Sequence, residues 1–79
     1  MNKEEILIKK SLEGDMKSFE TLVNLYKDKI YSFLLKMTLS REDSDDLLQE
    51  TFVSVYKNLY KYNDKWKFST WIYKIATNL

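Results

Sequence analysis

A chain of 79 residues with no proline and a single glycine is one small domain whose default secondary structure is helix. The lack of cysteine and histidine excludes disulfides and thiolate or imidazole metal sites, and fits a reducing, cytoplasmic setting. Net charge is +1 and hydrophobic residues make up 44%, enough for a core; no apolar run approaches the roughly 18 residues of a membrane span, and the charged start MNKEEILIKK is unlike a signal peptide.

The pattern predicts an all-α domain with four helices, at about 3–12, 16–37, 41–60 and 69–79. In the first, Ile6, Leu7 and Leu12 offer a thin apolar stripe. Gly14 stands where that helix would stop, and Asp15 follows as an N-cap for the next. In the second, Phe19, Leu22, Val23, Tyr26, Ile30, Phe33, Leu34 and Met37 recur at spacings of three and four, which makes one apolar face. Ser40 caps the third helix, with Glu42 and Asp43 in its first turn. There Leu48, Phe52, Val55, Tyr56 and Leu59 share the side expected to face the core. Asp46, Gln49, Glu50, Val53 and Lys57 share the other side, a mostly polar strip with Val53 at its middle. Residues 61–68 lack periodicity and read as a loop, with Asn63-Asp64 as a turn signal. Ser69 or Thr70 caps the last helix. Its apolar pattern (Trp71, Ile72, Ile75, Ala76, Leu79) is still running at the last residue, as expected of a fragment of a longer protein.

Charge is unevenly spread. Residues 41–56 carry Arg41 against Glu42, Asp43, Asp45, Asp46 and Glu50; residues 57–79 carry five lysines against Asp64. An acidic block followed by a basic, aromatic one suggests two different partners, where the bland alternative is a solvated surface. No nucleophile–base pair or glycine-rich phosphate loop is present, so an enzyme is not expected. The acidic block lacks the glycine and spacing of a calcium loop, and neither a metal nor a cofactor is expected. The last block interleaves Tyr60, Tyr62, Trp66, Phe68, Trp71 and Tyr73 with Lys61, Lys65, Lys67 and Lys74. Rings of this kind stack on unpaired bases, ammonium groups pair with phosphates, and Asn63, Ser69, Thr70, Thr77 and Asn78 are able to bond base edges. Trp71 and Phe68 are expected in the core; Tyr62, Trp66 and Tyr73 are expected at the surface.

Asp45-Asp46-Leu47-Leu48-Gln49-Glu50-Thr51-Phe52, followed by the run Lys67 to Leu79 (KFSTWIYKIATNL), resembles region 2 of the sigma-70 family, and most closely the extracytoplasmic-function (ECF) subgroup. The Gly14-Asp15 junction, Phe19 and the Tyr26, Ile30, Tyr31 spacing are similar too. The resemblance spans nearly the whole chain. It implies a transcription-initiation domain that docks on a coiled coil of the β′ subunit of core RNA polymerase, and recognises and melts the promoter −10 element. Asp46, Gln49 and Glu50 match the family's polymerase contacts, with Val53 and Lys57 beside them. Asn58 and Tyr62 would border a pocket for a base flipped from the non-template strand, with Tyr73 and Asn78 approaching from the last helix. Asn63 to Lys67, including Lys65 and Trp66, would form the specificity segment. Lys61, Lys65, Lys67 and Lys74 would hold phosphates, with Ser69 and Thr70 alongside. The resemblance also makes an anti-sigma partner expected, and implies that residues 1–79 lack the family's −35-binding domain. The alternative reading is a helical protein-interaction module with no DNA role.

Overall fold

The computed structural model describes residues 2–79. Within them the chain forms α1 (Lys3–Leu12), α2 (Met16–Thr38), α3 (Arg41–Asn58) and α4 (Phe68–Thr77), with a 3₁₀ turn at Leu59–Lys61. Each predicted helix is present. α1 packs on α2, α2 on α3, and α4 closes against both α2 and α3.

The boundaries follow from local hydrogen bonding. Asn2 accepts from the Glu5 amide at 2.8 Å and starts α1. α1 ends in a Schellman arrangement: the Gly14 amide reaches the Ser11 carbonyl, and the Asp15 amide the Lys10 carbonyl. Gly14 takes φ +97, a conformation open to glycine at little cost. Asp15 then caps α2 through the Lys17 amide and the Ser18 hydroxyl. That hydroxyl, foremost, holds the Asp15 carboxyl below its usual range. Leu39 ends α2 at φ +56, its side chain 87% exposed. Ser40 caps α3 at the Asp43 amide. Thr38 braces the same turn: its hydroxyl meets the Ser40 backbone and lies 2.8 Å from the Ser44 hydroxyl.

The third and fourth helices depart from expectation at their ends. α3 stops at Asn58 rather than Tyr60, because the chain tightens into the 3₁₀ turn there. α4 starts at Phe68, one residue before Ser69, with Lys67 at the cap position and no side-chain cap. Neither Ser69 nor Thr70 caps it; both lie within its first turn. Phe68 is 2% exposed, so burial of its ring draws this residue into the helix. α4 closes at Thr77, where the Asn78 amide turns back to Lys74 and Ile75.

The core is built from Ile8, Phe19, Leu22, Ile30, Leu34, Val55, Leu59, Phe68, Ile72 and Ala76. In α1 the buried residues are Ile8 and Ser11, whereas Ile6 and Leu12 are exposed. A single stripe two residues wide is enough for a helix that packs chiefly on one neighbour. Met37 is likewise exposed, one turn past the last buried α2 residue, Leu34. In α3 the buried stripe is Ser44, Thr51 and Val55. Leu48 and Phe52 are half-buried and Tyr56 is exposed. The inward direction is therefore rotated by about 60° from the side that apolar residues alone suggest. Ser44 and Thr51 can lie there because their hydroxyls are satisfied, Thr51 by the Leu47 carbonyl at 2.6 Å. Among the described residues no buried polar side-chain atom lacks a partner.

Candidate functional site

The α3 strip points away from the core. Asp46, Gln49, Glu50, Val53 and Lys57 are all exposed. They lie opposite the true buried stripe of Ser44, Thr51 and Val55, about 180° away around the axis. The rotation of the inward face thus makes the strip more fully outward than the apolar pattern implied. Beside it lies a feature the sequence did not disclose. Met16, Phe19 and Val23 of α2 and Leu48, Phe52 and Tyr56 of α3 line an apolar groove of about 510 Å³, with Gln49, Val53 and Lys57 on its edge. Tyr56 and Phe19 meet edge to face across it, ring centroids 5.1 Å apart. Leu48 and Phe52 pack against the core as expected, whereas Tyr56 is exposed; at i, i+4 and i+8 the three also form one wall of the groove. A polar strip flanked by an apolar trough is the composition of a protein-docking surface. In the sequence, the signal was the excess of apolar α3 positions over what one narrow stripe requires.

The loop between α3 and α4 is ordered by its own hydrogen bonds. The Asn63 side chain accepts from the Lys65 amide at 3.0 Å, and the Trp66 amide reaches the Asn63 carbonyl. The Tyr62 phenol donates to the Trp66 carbonyl at 2.5 Å. Its ring packs against Phe68 and Trp71, with centroids 5.1 and 5.2 Å away. Phe68 in turn meets Tyr26, whose phenol donates to Glu4 on α1. Burial, then Glu4, pushes the Tyr26 phenol well above its usual range; burial, then Glu4 and Asp64, raises Tyr62. Tyr62 is therefore half-buried and Trp71 only half-buried: the two share one aromatic wall, where one exposed and one buried ring had been expected. Trp66 is an open ring, 64% exposed, as is Tyr60 in the 3₁₀ turn, and Lys61, Asn63, Lys65 and Lys67 are also exposed.

The remaining candidate residues do not converge on one cavity. Asn58 turns its amide back onto Ser54 at 2.9 Å and lines a shallow concavity with Gln49, Val53 and Leu79, on the strip side. Tyr62 lines concavities against α1, one with Glu5, Ile8 and Lys61, another with Trp66, Lys67 and Ser69. Tyr73 is half-buried against α2, edge to face with Phe33 at 5.2 Å. Thr70, Lys74 and Asn78 are exposed along α4, and Ser69 is half-buried. The structure brings Tyr62, Trp66, Lys67 and Ser69 together. It leaves Asn58, Tyr73 and Asn78 on separate margins. Among the described residues no helix is long and apolar enough to cross a membrane.

The fold recurs in known proteins. The family described as Sigma-70 region 2 matches residues 22–79. The chain is 40% identical to the ECF RNA polymerase sigma factor SigW of Bacillus subtilis over 79 residues, which is 95% of this chain and 42% of that protein. It is 33% identical to the ECF RNA polymerase sigma-E factor of Haemophilus influenzae, again over 95% of this chain and over 39% of the relative. The chain thus spans about two fifths of the length of the curated relatives it matches. An NMR structure of an engineered region 2 of sigmaE in complex with GTAAAA superposes with a TM-score of 0.86 at 34% identity, covering 99% of this chain and 84% of that one. The family match over residues 22–79 and the superposition of the fold together place the chain: it belongs to the sigma-70 region 2 family, and these relatives are ECF sigma factors.

Proposed function

We propose that this domain serves transcription initiation as part of an RNA polymerase sigma factor, docking on core polymerase through α3 and recognising and melting the −10 element of a promoter through the α3–α4 loop and α4. The observation that carries the reading is the placement of two chemically opposed surfaces on one rigid helical body, together with a superposing relative whose partner is a six-nucleotide strand. The polymerase surface is the strip Asp46, Gln49, Glu50, Val53 and Lys57. A coiled coil with basic side chains suits its acidic rim, and the apolar trough beside it accepts a protruding apolar side chain.

The DNA surface is centred on Trp66. An exposed indole with Lys61, Lys65 and Lys67 around it offers a stacking plane and phosphate partners. Tyr62 contributes through its hydroxyl and half-buried ring, and Asn63 by shaping the turn. Along α4, Ser69, Thr70 and Lys74 continue this surface, with Tyr73 and Asn78 at its margins. Asn58 joins it if its amide leaves Ser54 to meet a base. Unstacking one base costs a few kcal/mol, which stacking and hydrogen bonding on the protein recover. Binding energy, with no hydrolysis, then opens the duplex.

Titration of the chain with GTAAAA and with a scrambled hexamer, followed by tryptophan fluorescence at two salt concentrations, tests this. Expected is a quench that is stronger for one sequence and weaker at high salt. An unresponsive signal together with capture of core polymerase would leave the docking role alone and favour an interaction module.

A further inference from the structure

The loop and α4 do not exhaust the basic surface. On the α2 side, Lys29, Ser32, Phe33 and Lys36 share one helix face at i, i+3, i+4 and i+7, and with Tyr73 of α4 they line a groove of about 440 Å³. Both lysines are exposed, and Asp28 is the single carboxylate in the lining. Phe33 holds Tyr73 edge to face, so the groove floor is a fixed aromatic pair that joins α2 to α4. Lys74 follows Tyr73 on the exposed surface of α4. The two α2 lysines stand about 10 Å apart along the axis.

We propose that this groove binds the sugar–phosphate backbone of double-stranded DNA adjoining the single-stranded segment, with Lys29 and Lys36 as phosphate ligands and Ser32 as a hydrogen-bond donor between them. The inference rests on the proposed DNA role of the loop and α4, and extends it to α2, on which that role places no DNA contact. Charge complementarity identifies the occupant: the ammonium groups of Lys29 and Lys36 flank an aromatic floor, against the single carboxylate of Asp28. Continuity supports it, because Tyr73 belongs to α4 and forms one wall of the groove. A backbone-only contact of this kind positions the duplex without reading its sequence.

The test uses the 79-residue chain and two probes: the hexamer GTAAAA alone, and the same hexamer joined to ten base pairs of duplex, with the duplex placed at either end in separate probes. Binding is measured across a salt series. The wild-type chain is expected to bind one duplex-bearing probe with a steeper salt dependence than the hexamer. Lys29→Ala/Lys36→Ala is expected to reduce that logarithmic slope by about 1.8, for two phosphates released, and to leave the hexamer slope unchanged. The double Arg variant should keep the steep slope. Lys10→Ala/Lys17→Ala, which removes equal charge from the α1–α2 end, should leave the difference between probes intact. An unaltered slope in Lys29→Ala/Lys36→Ala, or equal slopes for all probes with the wild-type chain, overturns the groove assignment. Loss of hexamer binding by the wild-type chain would instead overturn the DNA role itself.

Discussion

The Tyr62 phenol is bound to the Trp66 carbonyl at 2.5 Å, so the exposed Trp66 ring sits on a backbone clamped by a half-buried tyrosine. The ring of Tyr62 is independently held by Phe68 and Trp71. Tyr62→Phe keeps those ring contacts and removes only the clamp. It should cost about 1 kcal/mol of stability. Amide hydrogen exchange across 63–67 should rise while that of α2 stays unchanged, and hexamer binding should weaken as the loop loses preorganisation. Unaltered exchange in the loop would show that the clamp has no ordering role.

The proposed docking strip is separable from the fold. Gln49 and Glu50 are exposed and opposite the buried stripe. Gln49→Ala/Glu50→Ala should weaken core-polymerase binding by about tenfold or more, equivalent to at least ~1.4 kcal/mol. Thermal melting and hexamer binding should remain as in the parent chain. A pull-down with core polymerase, paired with a melting curve, checks both halves.

Leu39 carries backbone strain with no packing to compensate. It sits at φ +56 with an 87% exposed side chain. The left-handed conformation costs an L-residue roughly 1–2 kcal/mol, part of which glycine gives back as lost chain entropy. Leu39→Gly should therefore stabilise the domain by up to about 1 kcal/mol, raising Tm by several degrees for a chain of this size. Calorimetry on the two chains measures it.

Buried hydroxyls and buried hydrocarbon should differ in cost. Ser44→Ala removes one partner of Thr38, yet Thr38 keeps its contacts to the Ser40 backbone. A loss of about 1 kcal/mol is expected. Leu34→Ala, at a fully buried position, should cost about 3 kcal/mol. Urea unfolding of the two variants gives the comparison directly.

Alkaline pH should loosen the packing of α2 on α1 and of the loop on α4. The Tyr26 and Tyr62 phenols are both raised above the ordinary value of 10.0, so the fold favours their protonated forms. Their contribution is complete below pH 10 and is lost as pH climbs through the folded-state values. Unfolding stability should fall above pH 10, and Tyr26→Phe, which cannot ionise, should show a shallower fall. A urea series from pH 8 to pH 11 tests the sign.

Helix positions and caps were legible because they depend on local chemistry: Asp15 and Ser40 cap the helices they precede, and Gly14 takes the turn only it accepts cheaply. Tertiary context decided what remained hidden. Ile8 outranks Ile6 only because α2 lies on its side of α1. Ser44 and Thr51 look like surface residues until their hydroxyls find partners, and missing them displaced the inward face of α3. In the candidate site, the strip was readable from periodicity, since opposite faces of one helix are fixed by geometry. The loop was readable only as composition. Which rings stand open depends on the Tyr62–Trp66 bond and the aromatic wall around Phe68, neither of which has a sequence period.

α3 has no idle circumference. Its inward line fills the core, its flank walls the apolar trough, and its outward line is the exposed strip. In a library of single substitutions scored for transcription, this helix should tolerate the fewest changes per position. Its deleterious variants should split by rescue: lowering the growth temperature restores those facing inward and leaves those facing outward defective. If the proposed docking role holds, folding and recruitment share one rod, and drift along most of its circumference is constrained.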